Sequence, residues 1–124
     1  MRRRRNKLPQ DLQDERAAWA AAQRRCFVCR GLPDDVHEIA SKGQTVGHQW
    51  ACVESYFATC RWCHDEILSW APEAVQLALK SIEDKSNLNI PLINQLRGRG
   101  PNAIDIYEVR NWERFIRAVR GERI

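Results

Sequence analysis

The chain has 124 residues and a formal charge of +4, with a sequence pI of about 9.0. This length predicts one domain with a modest core, which a metal site would supplement. No apolar run is long enough to span a membrane, and the basic segment Met1–Lys7 is not followed by the apolar region of a secretory signal. We therefore expect a cytoplasmic protein in a reducing compartment, where paired Cys-x-x-Cys motifs favour metal over disulfides.

Arginine supplies most of the positive charge, with 16 arginines against 4 lysines. The guanidinium group binds phosphate through two hydrogen bonds and stacks on bases, so this bias favours DNA as a partner. An arginine-rich surface that is merely solvated fits the composition equally well. The run Arg2–Arg5 has the same two interpretations: a solvated tail, or a source of sequence-independent affinity for phosphates.

Local patterns divide the chain into three parts. They are a basic disordered arm over residues 1–9, a helix plus a cysteine-rich core over residues 10–71, and a helical extension over residues 72–124. Three residues mark turns and ends: Gly31 should provide left-handed backbone, Asp105 should cap the last helix, and Gly121 should end it. The predicted elements are helices over residues 10–24, 63–70, 72–85, 91–96 and 105–120, strands over 36–40 and 51–59, and a loop over 41–48.

Large apolar side chains at helical spacing predict the core. Trp19 should dock the first helix on the body. Most of the five tryptophans are interpreted as core residues, whereas Trp62, within a cysteine pair, is a candidate to contact a base. The side chains predicted to face inward from the last helix are Val109, Trp112, Ile116 and Val119.

Two cysteine pairs are the strongest chemical signal in the chain. Cys26 and Cys29 form one Cys-x-x-Cys motif, and Cys60 and Cys63 form a second about thirty residues later. Four thiolates can close a tetrahedral zinc site, and a closed sphere is structural because it leaves no position for a substrate. The fifth cysteine, Cys52, is interpreted as a small buried apolar residue.

Two histidines are placed against these pairs: His37 lies between them and His64 directly follows Cys63. If the cysteines share one zinc ion, the two histidines could lie close enough to bind a second ion. Asp35 or Glu38 could add a carboxylate ligand, and Mg²⁺, Mn²⁺ or Zn²⁺ would suit such an open site. The alternative is one satisfied core histidine and one histidine at a helix terminus.

The order Cys-x-x-Cys, His-Glu-Ile on a strand, and Cys-x-x-Cys-His resembles the HNH endonucleases, and most of all small phage and prophage proteins of that family. The resemblance covers residues 26 to about 70. It implies a ββα-metal core of the treble-clef type, a structural zinc ion on the four cysteines, and hydrolysis of DNA phosphodiester bonds in a bacterial host or phage-infected cell. It also implies that His37 and His64 bind the catalytic metal, with Glu38 in the position of the usual general base.

This sequence departs from the family pattern at two positions. Glutamate is a weaker base than imidazole, with a reference pKa near 4.3 against 6.5. His37 is therefore an alternative base, with Glu38 or Asp35 helping to bind metal. Ser55 lies in the region of the family's middle asparagine.

The sequence thus predicts a small α+β protein with a zinc-stapled treble-clef core and flanking N- and C-terminal helices. The leading hypothesis is an HNH-like endonuclease with catalytic residues His37, Glu38 and His64. The alternative is a non-catalytic zinc-stapled module that binds nucleic acid or protein and retains a degenerate site. A third possibility is a regulatory partner that binds through its C-terminal helices.

Overall fold

The computed structural model describes residues 7–40 and 47–122. The predicted arginine run at Arg2–Arg5 and most of the loop predicted over residues 41–48 lie outside the described residues. Within these two ranges the fold is α+β, as predicted from the sequence. The elements are α1 (Gln10–Ala22), β1 (Asp35–Glu38), β2 (Tyr56–Thr59), α2 (Arg61–Glu66), α3 (Glu73–Glu83), a 3₁₀ turn (Lys85–Asn87), α4 (Ile90–Leu96) and α5 (Ile106–Val119). None of the described helices is both long enough and apolar enough to cross a membrane.

The two strands form an antiparallel pair in which Asp35 lies opposite Thr59 and Glu38 opposite Tyr56. All four residues of β2 are buried, whereas β1 is half-buried. The second strand is shorter than the predicted 51–59, because turns occupy residues 52–55. These turns are fixed by Ser55, whose hydroxyl accepts a hydrogen bond from the Ala40 N–H at 3.0 Å.

The core lies between the sheet, α1 and α3. Leu77 and Ala78 of α3 are fully buried, so the extension predicted to begin at residue 72 contributes to the same core as the sheet. Trp19 docks α1 as predicted, with its ring centroid 5.6 Å from that of Tyr56. Its indole N–H donates to Asp84 at the end of α3.

The last helix has the predicted ends but buries less than predicted. Asp105 accepts a hydrogen bond from the Glu108 N–H, and Gly121 follows the helix with φ +74°. Val109 is buried and Ile116 packs against the core. The prediction that Trp112 and Val119 face the core is wrong, since these residues are 36% and 71% exposed. The reason is that α5 contacts mainly α3.

The general prediction for the tryptophans is also wrong in part. Trp19 and Trp50 are buried, but Trp62, Trp70 and Trp112 are exposed. Trp70 lies outside a helix because α2 ends at Glu66, four residues earlier than predicted. Its indole N–H instead donates to the Glu66 carbonyl.

Candidate metal centre and adjoining histidine pair

The four paired cysteines converge on one point. The sulfur atoms of Cys26, Cys29, Cys60 and Cys63 all lie within 4.8 Å of one another, and those of Cys29 and Cys60 are 3.8 Å apart. A tetrahedron with Zn–S bonds of about 2.3 Å has edges of about 3.8 Å, so the spacing fits a single ion. All of the cysteines are free thiols. The cluster could therefore hold a metal ion such as zinc.

Each pair is positioned by a turn whose amides point at sulfur. Cys26 Sγ accepts from the N–H groups of Val28 and Cys29 at 3.4 and 3.5 Å. Cys60 is the N-cap of α2 and its sulfur accepts from the Cys63 N–H. Burial alone would raise the pKa of the Cys26 thiol, but the backbone N–H groups and the Thr59 hydroxyl outweigh it and lower this pKa to about 7. Such donors favour the thiolate form that a metal requires.

The turn of the first cysteine pair contains a residue with left-handed backbone, but it is not the residue predicted from the sequence. The positive φ of 65° belongs to Arg30, and Gly31 is not among the glycines with positive φ. Arg30 is anchored by ion pairs with Glu83 and Glu122. Gly31 instead donates its N–H to the Cys29 sulfur, and a Cβ there would lie 3.4 Å from that sulfur. The predicted left-handed conformation at Gly31 is therefore wrong, and a Cβ at this position would be in ordinary van der Waals contact with the sulfur.

His37 and His64 meet beside the cysteine cluster. Their ring centroids are 5.3 Å apart, with an angle of 63° between the planes. His37 is carried by β1, and His64 follows Cys63 within α2, so the cysteine turn that starts α2 also positions the second ring. Both residues are half-buried.

Each ring has one nitrogen engaged by a neighbour. His64 Nδ1 lies 2.8 Å from Asp35 Oδ2, and the exposed Arg61 guanidinium is 3.7 Å from the same oxygen. His37 Nε2 lies 2.8 Å from the amide oxygen of Gln76 on α3. Burial lowers the pKa of His37, and the nearby His64 ring lowers it further, against a raising effect of the Gln76 hydrogen bond. The net effect lowers the pKa of His37 and favours its neutral imidazole form.

Gln76 was not identified as a site residue from the sequence. The one signal was a polar residue within the helix pattern of α3, where a side chain only 8% exposed would otherwise be apolar. A buried amide requires hydrogen-bond partners, but a sequence cannot show that one of them is 39 residues away.

Glu38 lies on the other side of β1 from the histidine pair. Its carboxylate is 3.1 Å from the Arg16 guanidinium of α1, and Arg16 also donates to the Val36 carbonyl. Consecutive strand residues point to opposite faces. The structure therefore brings together His37, His64, Asp35 and Gln76, and it separates Glu38 from them.

The structure also describes the surroundings of Ser55, Cys52 and His48. Ser55 is buried, and its hydroxyl donates to the Ala40 carbonyl as well as accepting from its N–H. Cys52 is half-buried, and burial raises the pKa of its thiol. His48 lies in a turn and is half-buried.

Within the described parts of the chain, His, Cys, Asp and Glu side chains form no second cluster of three or more possible metal ligands. Over residues 7–40 and 47–122, the four cysteines are the one such group with ligand atoms within 4.8 Å. A second ion at the histidine pair would therefore have water or substrate oxygens as its remaining ligands, as in an open site.

Comparison with protein-family models, with curated protein sequences and with solved structures found no match to this chain.

Proposed function

We propose that this protein is a metal-dependent endonuclease of the HNH type, with a treble-clef zinc centre, acting on DNA. The observation that carries the proposal is the His37–His64 pair, with ring centroids 5.3 Å apart, built directly onto the cysteine cluster through α2. A zinc site that served stability alone would not need two neighbouring imidazoles, each with one nitrogen held by a polar partner.

In this proposal the zinc ion on the four cysteines is structural. Four thiolates complete its coordination, so it offers no position to a substrate. Its effect is to join the turn after α1 to the start of α2, which positions His64 relative to His37. Structural zinc commonly contributes a large part of the folding free energy of small domains.

The histidine pair would hold the catalytic ion. Imidazole nitrogens suit Zn²⁺ and, less strongly, Mn²⁺, whereas Mg²⁺ prefers oxygen ligands. Of the three candidate ions, the two-imidazole donor set therefore favours Zn²⁺ or Mn²⁺. A divalent ion bound there would lower the pKa of a coordinated water and stabilise charge on the phosphate.

Other residues of this chain would orient the metal-binding histidines and bind the DNA phosphate. Asp35 holds His64 through Nδ1, and a carboxylate partner of this kind orients metal-binding histidines. Arg61, with its side chain 71% exposed, is placed to contact a phosphate oxygen. In the hydrolysis, the water oxygen bonds to phosphorus and the bond to the 3′ oxygen breaks. The proton that the water loses balances the one that the leaving oxygen gains.

DNA as the substrate is supported by the surface around the pair. Trp62 is 64% exposed and follows Arg61 in the first turn of α2, so an aromatic surface for stacking and a guanidinium group are both available on this helix. Many other arginines are neutralised in ion pairs: Arg97 and Arg99 with Glu73, and Arg120 with Glu83. Arg61 is also close to a carboxylate, Asp35 at 3.7 Å, but its side chain is 71% exposed and remains open to a phosphate group.

The experiment is plasmid cleavage by zinc-loaded protein, with added Mn²⁺, Zn²⁺ or Mg²⁺. We expect His37→Ala and His64→Ala to reduce cleavage by at least about 10²-fold while retaining one zinc ion per chain. His48→Ala is the matched control and should cleave as the wild type does. Absence of metal-dependent cleavage by the wild type, or equal cleavage by the two site variants, would refute the nuclease assignment.

The structural zinc has its own test. Zinc content measured by atomic absorption is expected near one ion per chain and is expected to fall in Cys60→Ser, together with the thermal midpoint. Cys52→Ser is the control, because Cys52 is outside the cluster and should leave zinc content unchanged. A folded, zinc-free wild type would contradict the proposed role.

A non-catalytic zinc-stapled binding module is the second candidate. The observation that favours it is that Glu38 is paired with Arg16 and Ser55 is bonded to Ala40, so neither family position contributes a side chain to the pair. DNA binding that persists in His37→Ala and His64→Ala, without cleavage by the wild type, would select this candidate.

A further inference from the structure

Gln76 is buried on α3 in a helix whose neighbouring residues are apolar. It is 8% exposed and lies between the fully buried Leu77 and the half-buried Val75. A glutamine in this position must satisfy both ends of its amide. Its two partners are His37 of β1 and the carbonyl of Ala71, just before α3.

The orientation of the amide follows from these two partners. The Ala71 carbonyl can only accept, so the group 3.2 Å from it is the Gln76 NH₂, which donates. The amide oxygen then faces His37 Nε2 at 2.8 Å. The reverse orientation would bring two oxygen atoms together at Ala71. Because an amide oxygen can only accept, His37 Nε2 must carry the proton of this hydrogen bond.

We propose that Gln76 is a positioning residue that holds His37 in the Nε2–H tautomer, so that Nδ1 presents the lone pair at the histidine pair. His64 is held in the opposite way: its Nδ1 faces Asp35 Oδ2 at 2.8 Å, which leaves Nε2 as its free nitrogen. The pair thus uses different ring nitrogens, each selected by a neighbour on another element.

The use of Nδ1 to bind an ion rests on the proposed function, whereas the tautomer does not. Partners that hold the second nitrogen of metal-binding histidines typically change metal affinity by about 10–100-fold when they are removed. A side chain that served only packing would leave the ring nitrogen unaffected and would be replaced well by leucine.

The first readout is nitrogen NMR of the histidine side chains in zinc-loaded protein at pH 8, without a second metal. We expect the wild type to show Nε2–H at His37, with a proton protected from solvent exchange. Gln76→Leu should lose this protection, and Gln76→Glu, which keeps an acceptor oxygen, should retain it. Ser81→Ala is the control for a general loosening of α3, because Ser81 is buried on the same helix but bonds Glu113.

The second readout is Mn²⁺ affinity by titration calorimetry. Gln76→Leu is expected to weaken binding by about 10–100-fold, with Gln76→Glu restoring most of it. An Nδ1–H tautomer in the wild type, or an unchanged Nε2–H signal in Gln76→Leu, would overturn the positioning role. If the NMR pattern is as expected but Mn²⁺ does not bind the wild type, the positioning role stands and the catalytic ion of the proposed function fails.

Discussion

Glu38 and His37 are adjacent in β1, but their side chains meet different parts of the molecule. His37 faces Gln76 and His64, whereas Glu38 contacts Arg16 of α1. Strand alternation is the physical cause. At the scale of single residues, the Glu38 carboxylate is therefore bonded to Arg16 and lies on the opposite face of β1 from the two histidine rings.

We predict that Glu38→Gln cleaves DNA within about threefold of the wild-type rate, because its carboxylate is outside the histidine pair. The loss of the partly buried ion pair with Arg16 should cost at most about 1 kcal/mol. Plasmid cleavage and urea unfolding measure the two effects. A loss of cleavage as large as that of His64→Ala would restore Glu38 as the general base.

A second prediction concerns the buried hydroxyl group of Tyr56. Its side chain is fully buried, and its hydroxyl has no hydrogen-bond partner among the residues described. Burial raises the pKa of this phenol to about 12. Since a buried unsatisfied hydroxyl is destabilising, Tyr56→Phe should increase the free energy of unfolding by about 1 kcal/mol.

Urea unfolding checks this increase, with Tyr107→Phe as the matched control. Tyr107 is 69% exposed, so its substitution should change stability by no more than about 0.5 kcal/mol. A less stable Tyr56→Phe variant would mean that the hydroxyl has a stabilising partner.

At the scale of elements, α2 connects the two candidate sites. Cys60 caps it, Cys63 lies in its first turn, and His64 follows. A helix of six residues has little stability of its own. The order of α2, and with it the position of His64, is therefore expected to depend on the ion held by the cysteines.

The last helix depends on its cap in a way that can be measured. Asp105 Oδ1 accepts from the Glu108 N–H at 2.8 Å. Asp105→Ala should lower the free energy of unfolding by about 1 kcal/mol, while Asp105→Asn retains an acceptor and should lose only a small part of this. Equal stability of the two variants in urea would show that the cap contributes nothing.

At the scale of the whole molecule, buried and half-buried charged side chains connect α3 and the end of α5 to the cysteine-bearing core. Arg120 donates to the carbonyls of Phe27 and Val28 in the first cysteine turn at 2.9 and 3.0 Å. Lys80 of α3 is fully buried and donates to Val53, Tyr56 and Asp84. The bonds from Arg120 to the first cysteine turn and from Lys80 to Val53 and Tyr56 join segments far apart in sequence, so we expect one cooperative unfolding transition.

Lys80 gives a pH-dependent prediction. Burial lowers its pKa below the usual value, although the nearby Asp84 carboxylate raises it. Between the folded pKa and the unfolded value of about 10.4, the unfolded chain binds more protons than the folded chain. The contribution of Lys80 to the free energy of unfolding therefore increases as pH rises through this window, and the gain is lost as pH falls through the folded pKa.

We expect Lys80→Met to be less stable than the wild type at pH 7, because three acceptors lose their donor. The difference between the two proteins should also change with pH across that window, since the variant lacks the titrating amine. Urea unfolding of both proteins from pH 7 to 10 measures this. A pH-independent difference would contradict the shifted pKa of Lys80.

The α+β class, the order of the elements and the meeting of the four cysteines were all predictable from the residues in order. Helix formers favour α1, and the Asp105 cap begins α5. Each Cys-x-x-Cys turn brings two sulfur atoms together, and the capacity of one zinc ion for four thiolates led to the expectation that the two pairs meet. The approach of His37 to His64 was expected from the same motif order.

Tertiary structure alone decided what surrounds those residues. That Gln76 reaches His37, that Glu38 pairs with Arg16, and that Trp112 is exposed depend on which helix faces which strand. Hydrogen-bond partners and burial are set by contacts between elements remote in sequence, and residue patterns within one element do not specify them.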